Sequence, residues 1–89
     1  MKTITAKALS KKIGIAYNTM MIHLSSFSAY SINAKSRYLF NYNYYFLQDL
    51  KNFYINRLTA HQNKYYKKYS KVIKNIDNLL LEFDKKIGK

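Results

Sequence analysis

Side chains that could make or break covalent bonds are scarce in this sequence and badly spaced for a reaction centre. The four carboxylates, Asp49, Asp77, Glu82 and Asp84, all fall in the second half, His23 and His61 stand far apart, and cysteine is absent. No paired-carboxylate site, nucleophile triad, Cys/His metal spacing or glycine-rich phosphate loop can be assembled from them. The chain therefore reads as a non-enzyme with no cofactor and no metal, and both histidines read as structural or surface residues. What the sequence offers instead is recognition chemistry. Asn18 carries a side-by-side donor and acceptor, Met21 and Ile22 supply apolar contact, Tyr17, Thr19 and Ser25 supply hydroxyls, and lysine supplies charge.

That charge is unevenly opposed. The formal net charge is +12, and no acidic residue occurs before Asp49. Lys2, Lys7, Lys11, Lys12, Lys35 and Arg37 give the first 48 residues +6, and the remainder carries another +6. Both halves would attract a polyanion. A codon bias toward Lys, Asn, Ile, Tyr and Phe would account for the lysines but not for the missing carboxylates. With 48% hydrophobic and 22% charged residues the composition is that of a folded chain, so the charge sits on a structured surface. Eighty-nine residues suffice for one modest core, which leaves self-association as a source of extra stability.

Targeting signals are not evident: Thr3, Thr5 and Lys7 stand where a secretion signal would be apolar, and the expected location is cytoplasmic. The stretch from Lys12 to Lys35 has no charged residue in between, yet Asn18, Thr19, His23, Ser25, Ser26, Ser28, Ser31 and Asn33 would place polar groups throughout a bilayer. No membrane partner is expected from it.

The elements that must position these residues follow from punctuation and period. Proline is absent and the only glycines are Gly14 and Gly88. Before Gly14, Thr5 can cap a helix with Ala6, Leu9, Ser10 and Ile13 on one side and Lys7, Lys11 and Lys12 on others. Tyr17 to Ser26 forms a second short helix. From Phe27 to Tyr45 the helical period fades into a short hairpin with Lys35 and Arg37 at its tip, and the Asn41–Tyr45 run leads into the next helix. From about Phe46 apolar positions return at helical spacing. Ile55, Leu58, Tyr65, Tyr69, Val72, Ile76, Leu79 and Phe83 make a seam interrupted at Gln62, with a break available between Thr59 and Asn63.

The segment from Lys7 to Leu24, KALSKKIGIAYNTMMIHL, resembles the helix-turn-helix of small bacterial regulators. Leu9, Ile13, Gly14, Ile15, Met20 and Leu24 carry the likeness, with Ser10 where that family prefers Ala and Gly14 at the left-handed turn. The continuation through Ala34–Phe40 and Phe46–Tyr54 looks like the wing and following helix of winged helix-turn-helix proteins, an order shared by MerR-like, excisionase-like and MarR-like regulators. The resemblance covers about two thirds of the chain and selects no subfamily.

It implies a mainly α fold with a short β-hairpin wing, a winged helix-turn-helix over residues 1–58, and a long C-terminal dimerisation helix over 59–89 in the same compact unit. It makes Tyr17, Asn18, Met21, Ile22 and Ser25 the base-reading residues of double-stranded DNA. Asn18 would pair with adenine and Met21 or Ile22 would touch thymine methyls, which suits an AT-rich site. Lys2, Lys7, Lys11, Lys12, Thr19, Lys35 and Arg37 would hold phosphates or enter the minor groove. This helix carries no Arg or Lys on its outer face, so guanine reading is not expected.

Tyr65, Tyr69, Val72, Ile76, Leu79 and Phe83 form the expected dimer face, since the same helix of a second copy is the economical partner; folding back on the chain's own domain is the alternative. Lys64, Lys67, Lys68, Lys71 and Lys74 occupy the other side, as a solvated face or as phosphate contacts. The expected function is a small homodimeric transcriptional repressor. A centromere-binding adaptor of a plasmid or phage segregation system, like TubR or ParR proteins and captured by a filament-forming partner, uses the same binding chemistry. A basic amphipathic protein that binds membrane or RNA is the reading from another class.

Overall fold

Between Thr5 and Gly14 the chain has what a short helix needs at both ends. Thr5 accepts the Ala8 amide on its Oγ1 at 3.1 Å, and helix α1 (Ala6–Ile13) ends in Gly14 at φ 82°, ψ 35°. This left-handed conformation costs a residue with a Cβ free energy that glycine does not spend. There the Gly14 and Ile15 amides both donate to the Ser10 carbonyl, at 2.9 and 3.0 Å. The four positions expected to face inward, Ala6, Leu9, Ser10 and Ile13, are the buried residues of α1.

The computed structural model describes residues 2–33, 36–60 and 66–87. These form a mainly helical fold with a small antiparallel sheet, in the order β1 (Thr3–Thr5), α1, α2 (Tyr17–Leu24), a 3-10 segment (Ser25–Tyr30), β2 (Ser31–Asn33), β3 (Ser36–Asn41), α3 (Tyr44–Ala60) and α4 (Tyr66–Ile87). The chain divides into two compact units, Met1–Tyr42 and Asn43–Lys89. Helix α3, which the sequence reading grouped with residues 1–58, clusters with α4.

In the first unit the expected hairpin is present, and it is joined by a strand that the sequence reading did not contain. β1 pairs with β3, and β3 with β2, in the order β1-β3-β2. The pairing Ile4↔Phe40 places two buried side chains opposite each other, flanked by Thr3↔Asn41 and Thr5↔Leu39. The Tyr42 amide extends this edge by donating to the Lys2 carbonyl at 2.9 Å. β1 thus ties the hairpin to the start of α1, and Ile4, Leu9, Ile13, Ile15, Met20, Leu24, Phe27 and Phe40 fill the core of the unit. Each such burial contributes roughly 1.5–3 kcal/mol.

In the second unit Asn43 caps α3, its Oδ1 accepting the Phe46 amide at 2.8 Å. The expected continuous seam becomes two helices in an antiparallel hairpin. Phe46, Leu47, Leu50 and Tyr54 are buried on α3, and Tyr69, Val72, Ile76, Leu79 and Leu80 on α4. Ile55, read as part of the seam, is exposed, because the buried row of α3 runs through positions 46, 50 and 54. The helices are registered by Tyr54 stacked on Tyr69 with ring centres 5.8 Å apart. Arg57 lies over Phe53 and Tyr69, donating to the Tyr69 hydroxyl at 3.4 Å. Lys51 and Asp77 pair at 2.6 Å, a partly exposed bridge worth little beside the buried rows.

Most of the expected dimer face is covered within the single chain. Tyr69, Val72, Ile76 and Leu79 are buried within the single chain, where α4 lies along α3, so the fold-back alternative describes them. Phe83 is half-buried, and Tyr65 lies outside the described residues. A helix face needs one apolar partner, and α3 provides it intramolecularly with no loss of translational entropy.

Two predictions follow from these contacts. Gly14→Ala should destabilise the fold by about 1–2 kcal/mol in urea denaturation followed by circular dichroism; an unchanged midpoint would mean that the turn does not hold its left-handed form. The second concerns the phenol of Tyr54, which burial, aided by Tyr69 and opposed by Arg57, keeps protonated well above the usual range. In the unfolded chain that proton leaves from about pH 10 upward. The folded chain then binds more protons than the unfolded one, so this contribution is intact below about pH 10 and lost as pH rises beyond it. Denaturation midpoints should fall as pH rises from about 10 to 12, and by less in Tyr54→Phe; an equal fall in both proteins would contradict the assignment.

Candidate nucleic-acid interface

Helix α2 is short because its ends are set by local chemistry. Ile15, 5% exposed, fills the turn after Gly14, and the Met20 amide donates to the Ala16 carbonyl at 2.9 Å. At the far end the Ser25 hydroxyl donates to the Ile22 carbonyl at 2.7 Å, a local bond that competes with helix continuation. The chain then enters the 3-10 segment, which is kinked at the buried Phe27. The helix therefore ends at Leu24, two residues before the expected Ser26.

Its inner face is Met20, His23 and Leu24, packed in a unit where α1 and α2 are in contact. His23 is buried on this face, a structural and not a surface position. Ser10 of α1 is also buried and spends its hydroxyl proton on the Lys7 carbonyl at 2.7 Å, so the small side chain required at a close helix approach leaves no unsatisfied donor.

Opposite that face, at about 100° per residue, stand Asn18, Ile22 and Ser25. All three are exposed, Ile22 to 72%. Tyr17, 39% exposed, and the half-buried Met21 flank one edge, and the half-buried Thr19 the other. The five expected reading residues thus share one surface, with Asn18, Ile22 and Ser25 at its centre and Met21 at its margin. Ser25 keeps its hydroxyl lone pairs for accepting while its proton is engaged.

A feature the sequence reading missed lies at the start of this helix. Its N-cap is Ala16, which makes no side-chain cap bond, and the first turn holds no acidic residue. The leading amides therefore have no N-cap side chain to accept from them, and no first-turn carboxylate offsets the positive end of the helix dipole. The signal was an alanine where Ser, Thr, Asp or Asn is preferred.

The residues expected to hold phosphates belong to the same unit. Lys7 and Lys11 are exposed one turn apart on one flank of α1, and Lys12 is exposed on the other. Lys11 and Lys12 sit in the last turn, where the helix dipole favours cations. Lys2 is exposed next to β1. Of the two hairpin-tip cations, Lys35 lies outside the described residues, and Arg37 has its backbone on β3. Tyr38 and Ile32 are exposed on the hairpin strands. Among the described residues no group of His, Cys, Asp or Glu is arranged to hold a metal, and no helix is long and apolar enough to cross a membrane.

Comparison of the chain with protein-family models, curated proteins and solved structures found no match.

The inner and outer assignments on α2 separate in stability. Met20→Ala should cost about 2–4 kcal/mol, whereas Ile22→Ala should stay within about 0.5 kcal/mol of the parent. Urea denaturation of the two variants checks this, and a large loss from Ile22→Ala would mean that the helix is rotated.

Proposed function

We propose that the chain binds double-stranded DNA as a winged helix-turn-helix protein, with α2 in the major groove and the β2–β3 hairpin as the wing. The observation that carries this reading is the exposed face of Asn18, Ile22 and Ser25, set opposite the buried face of α2 in a unit whose sequence contains no carboxylate. A helix of this width fits the major groove of duplex DNA. Asn18 can pair with adenine N6 and N7, and Ile22 meets thymine methyls, an apolar contact that removes part of its exposed surface from water. The absence of Arg and Lys from this face favours AT-rich sites over guanine runs.

Support for the wing comes from the sheet. Because β3 pairs with both β1 and β2, the hairpin strands are held in the same sheet as the strand that leads into α1, a fixed base for a wing that meets the backbone or minor groove. Lys2, Lys7, Lys11 and Lys12 serve as phosphate contacts around the apolar reader, with Thr19 and the uncapped start of α2 as neutral donors.

With no groups for covalent chemistry, such a protein acts on a promoter by occupying it, and repression is the role we assign. A homodimer, placing two α2 helices on one face of the duplex, is part of the proposal; its interface would lie outside the α4 row that α3 covers.

Binding should be tested on a pool of random duplexes followed by footprinting of the selected site. The selected sites should be AT-rich, and Asn18→Ala with Ile22→Ala should reduce preference over random DNA by about 10- to 100-fold while leaving weak, salt-sensitive binding. Met21→Ala alone should have a smaller effect. Unchanged preference in the double variant would remove α2 from the reading role.

A further inference from the structure

The exposed side of α4 runs against the rules that stabilise a helix in isolation. Lys67, Lys71 and Lys74 fall within a sector of about 60°, opposite the row of Tyr69, Val72 and Ile76 that is buried on the chain. Lys68 stands at its edge, and all four are exposed. Lys67 and Lys68 lie in the first turn, next to the positive end of the helix dipole, and that turn has no acidic residue. Lys67 and Lys71 are like charges at i,i+4, and Lys71 has Lys68 and Lys74 as i,i+3 neighbours. The nearest carboxylate in sequence, Asp77, is engaged by Lys51 at 2.6 Å. None of the four lysines makes an ion pair among the described residues. The helix forms because its buried row outweighs this repulsion.

We propose that the first half of α4 is a second polyanion-binding surface, separate from α2, and that it takes the phosphate backbone of duplex DNA without regard to sequence. The choice of DNA as the polyanion rests on the function proposed above; the phosphate chemistry does not. Lys67 and Lys74 are about 10 Å apart along the helix axis, a span that can meet more than one phosphate. An anionic membrane fits less well, because the apolar side of α4 that would enter the lipid is buried on the chain. Beyond the lysines, Asn78 continues the stripe and Glu82 follows it one turn on, and among the described residues of α4 the large apolar side chains left outside are Tyr66 and Leu81.

The test is the salt dependence of the full-length chain on a duplex of scrambled sequence, with Lys67→Gln, Lys71→Gln and Lys74→Gln combined. The slope of log affinity against log salt should shrink by about 2 to 3, with affinity at about 0.1 M salt falling tenfold or more on every duplex. The thermal midpoint should hold or rise, since the substitutions relieve repulsion. An unchanged slope overturns the proposal. So does loss of binding to phosphatidylserine vesicles by the triple variant with DNA binding intact, which would assign the stripe to a membrane. A parent protein that shows no sequence preference at all, yet loses slope in the triple variant, would contradict the reading role of α2 and leave this surface standing.

Discussion

Everything proposed for α2 depends on the angle at which it is delivered, and a single backbone conformation delivers it. With Gly14 in the left-handed region and its amide and that of Ile15 folded onto the Ser10 carbonyl, α1 and α2 meet in one orientation. Ile15 then closes the turn, and Met20, His23 and Leu24 have one set of neighbours to pack against. The outer face is the consequence of the inner one. A helix of eight residues is too short to be stable alone, so its rotation is fixed by burial, and burial places Asn18, Ile22 and Ser25 outward.

The electrostatics are organised around the same choice. A unit with cations and no carboxylate repels itself, a cost usually reduced by interspersed acids. Here hydrophobic burial carries the fold against that repulsion. On α1 Lys11 and Lys12 fall at the favourable end of the dipole, whereas on α4 Lys67 and Lys68 fall at the unfavourable end. The two compact units have reached a similar surface by different routes, one around an apolar reader and one as a plain cationic stripe. A polyanion would lower the free energy of both.

How much of this was legible in the sequence depended on how many structures each pattern allows. The limits of α1, its Thr5 cap, its buried side and its glycine stop could all be read, because capping, period and a rare positive-φ residue converge there. β1 could not: three residues with one apolar member, Ile4, have no period, and their meaning comes from pairing with the distant Phe40. The pattern of α4 marked Tyr69, Val72, Ile76 and Leu79 as a face in need of a partner, but period does not say whose helix covers it. α3 does so, and its own row was misread because Phe, Tyr and Leu occur all around it. On α2 the outward direction of Asn18, Ile22 and Ser25 was legible, while the half-burial of Met21, the end of the helix at Leu24 and the burial of His23 required the fold.

Contact between the outer face of α2 and duplex DNA can be read residue by residue by nuclear magnetic resonance of the nitrogen-15-labelled full chain, titrated with an AT-rich duplex at about 0.15 M salt. The backbone amides of Tyr17 to Ser25 and the Asn18 side-chain amide should shift together and saturate, with those of the buried α3 row unmoved. Shifts confined to α4, with α2 silent at saturation, would contradict that contact.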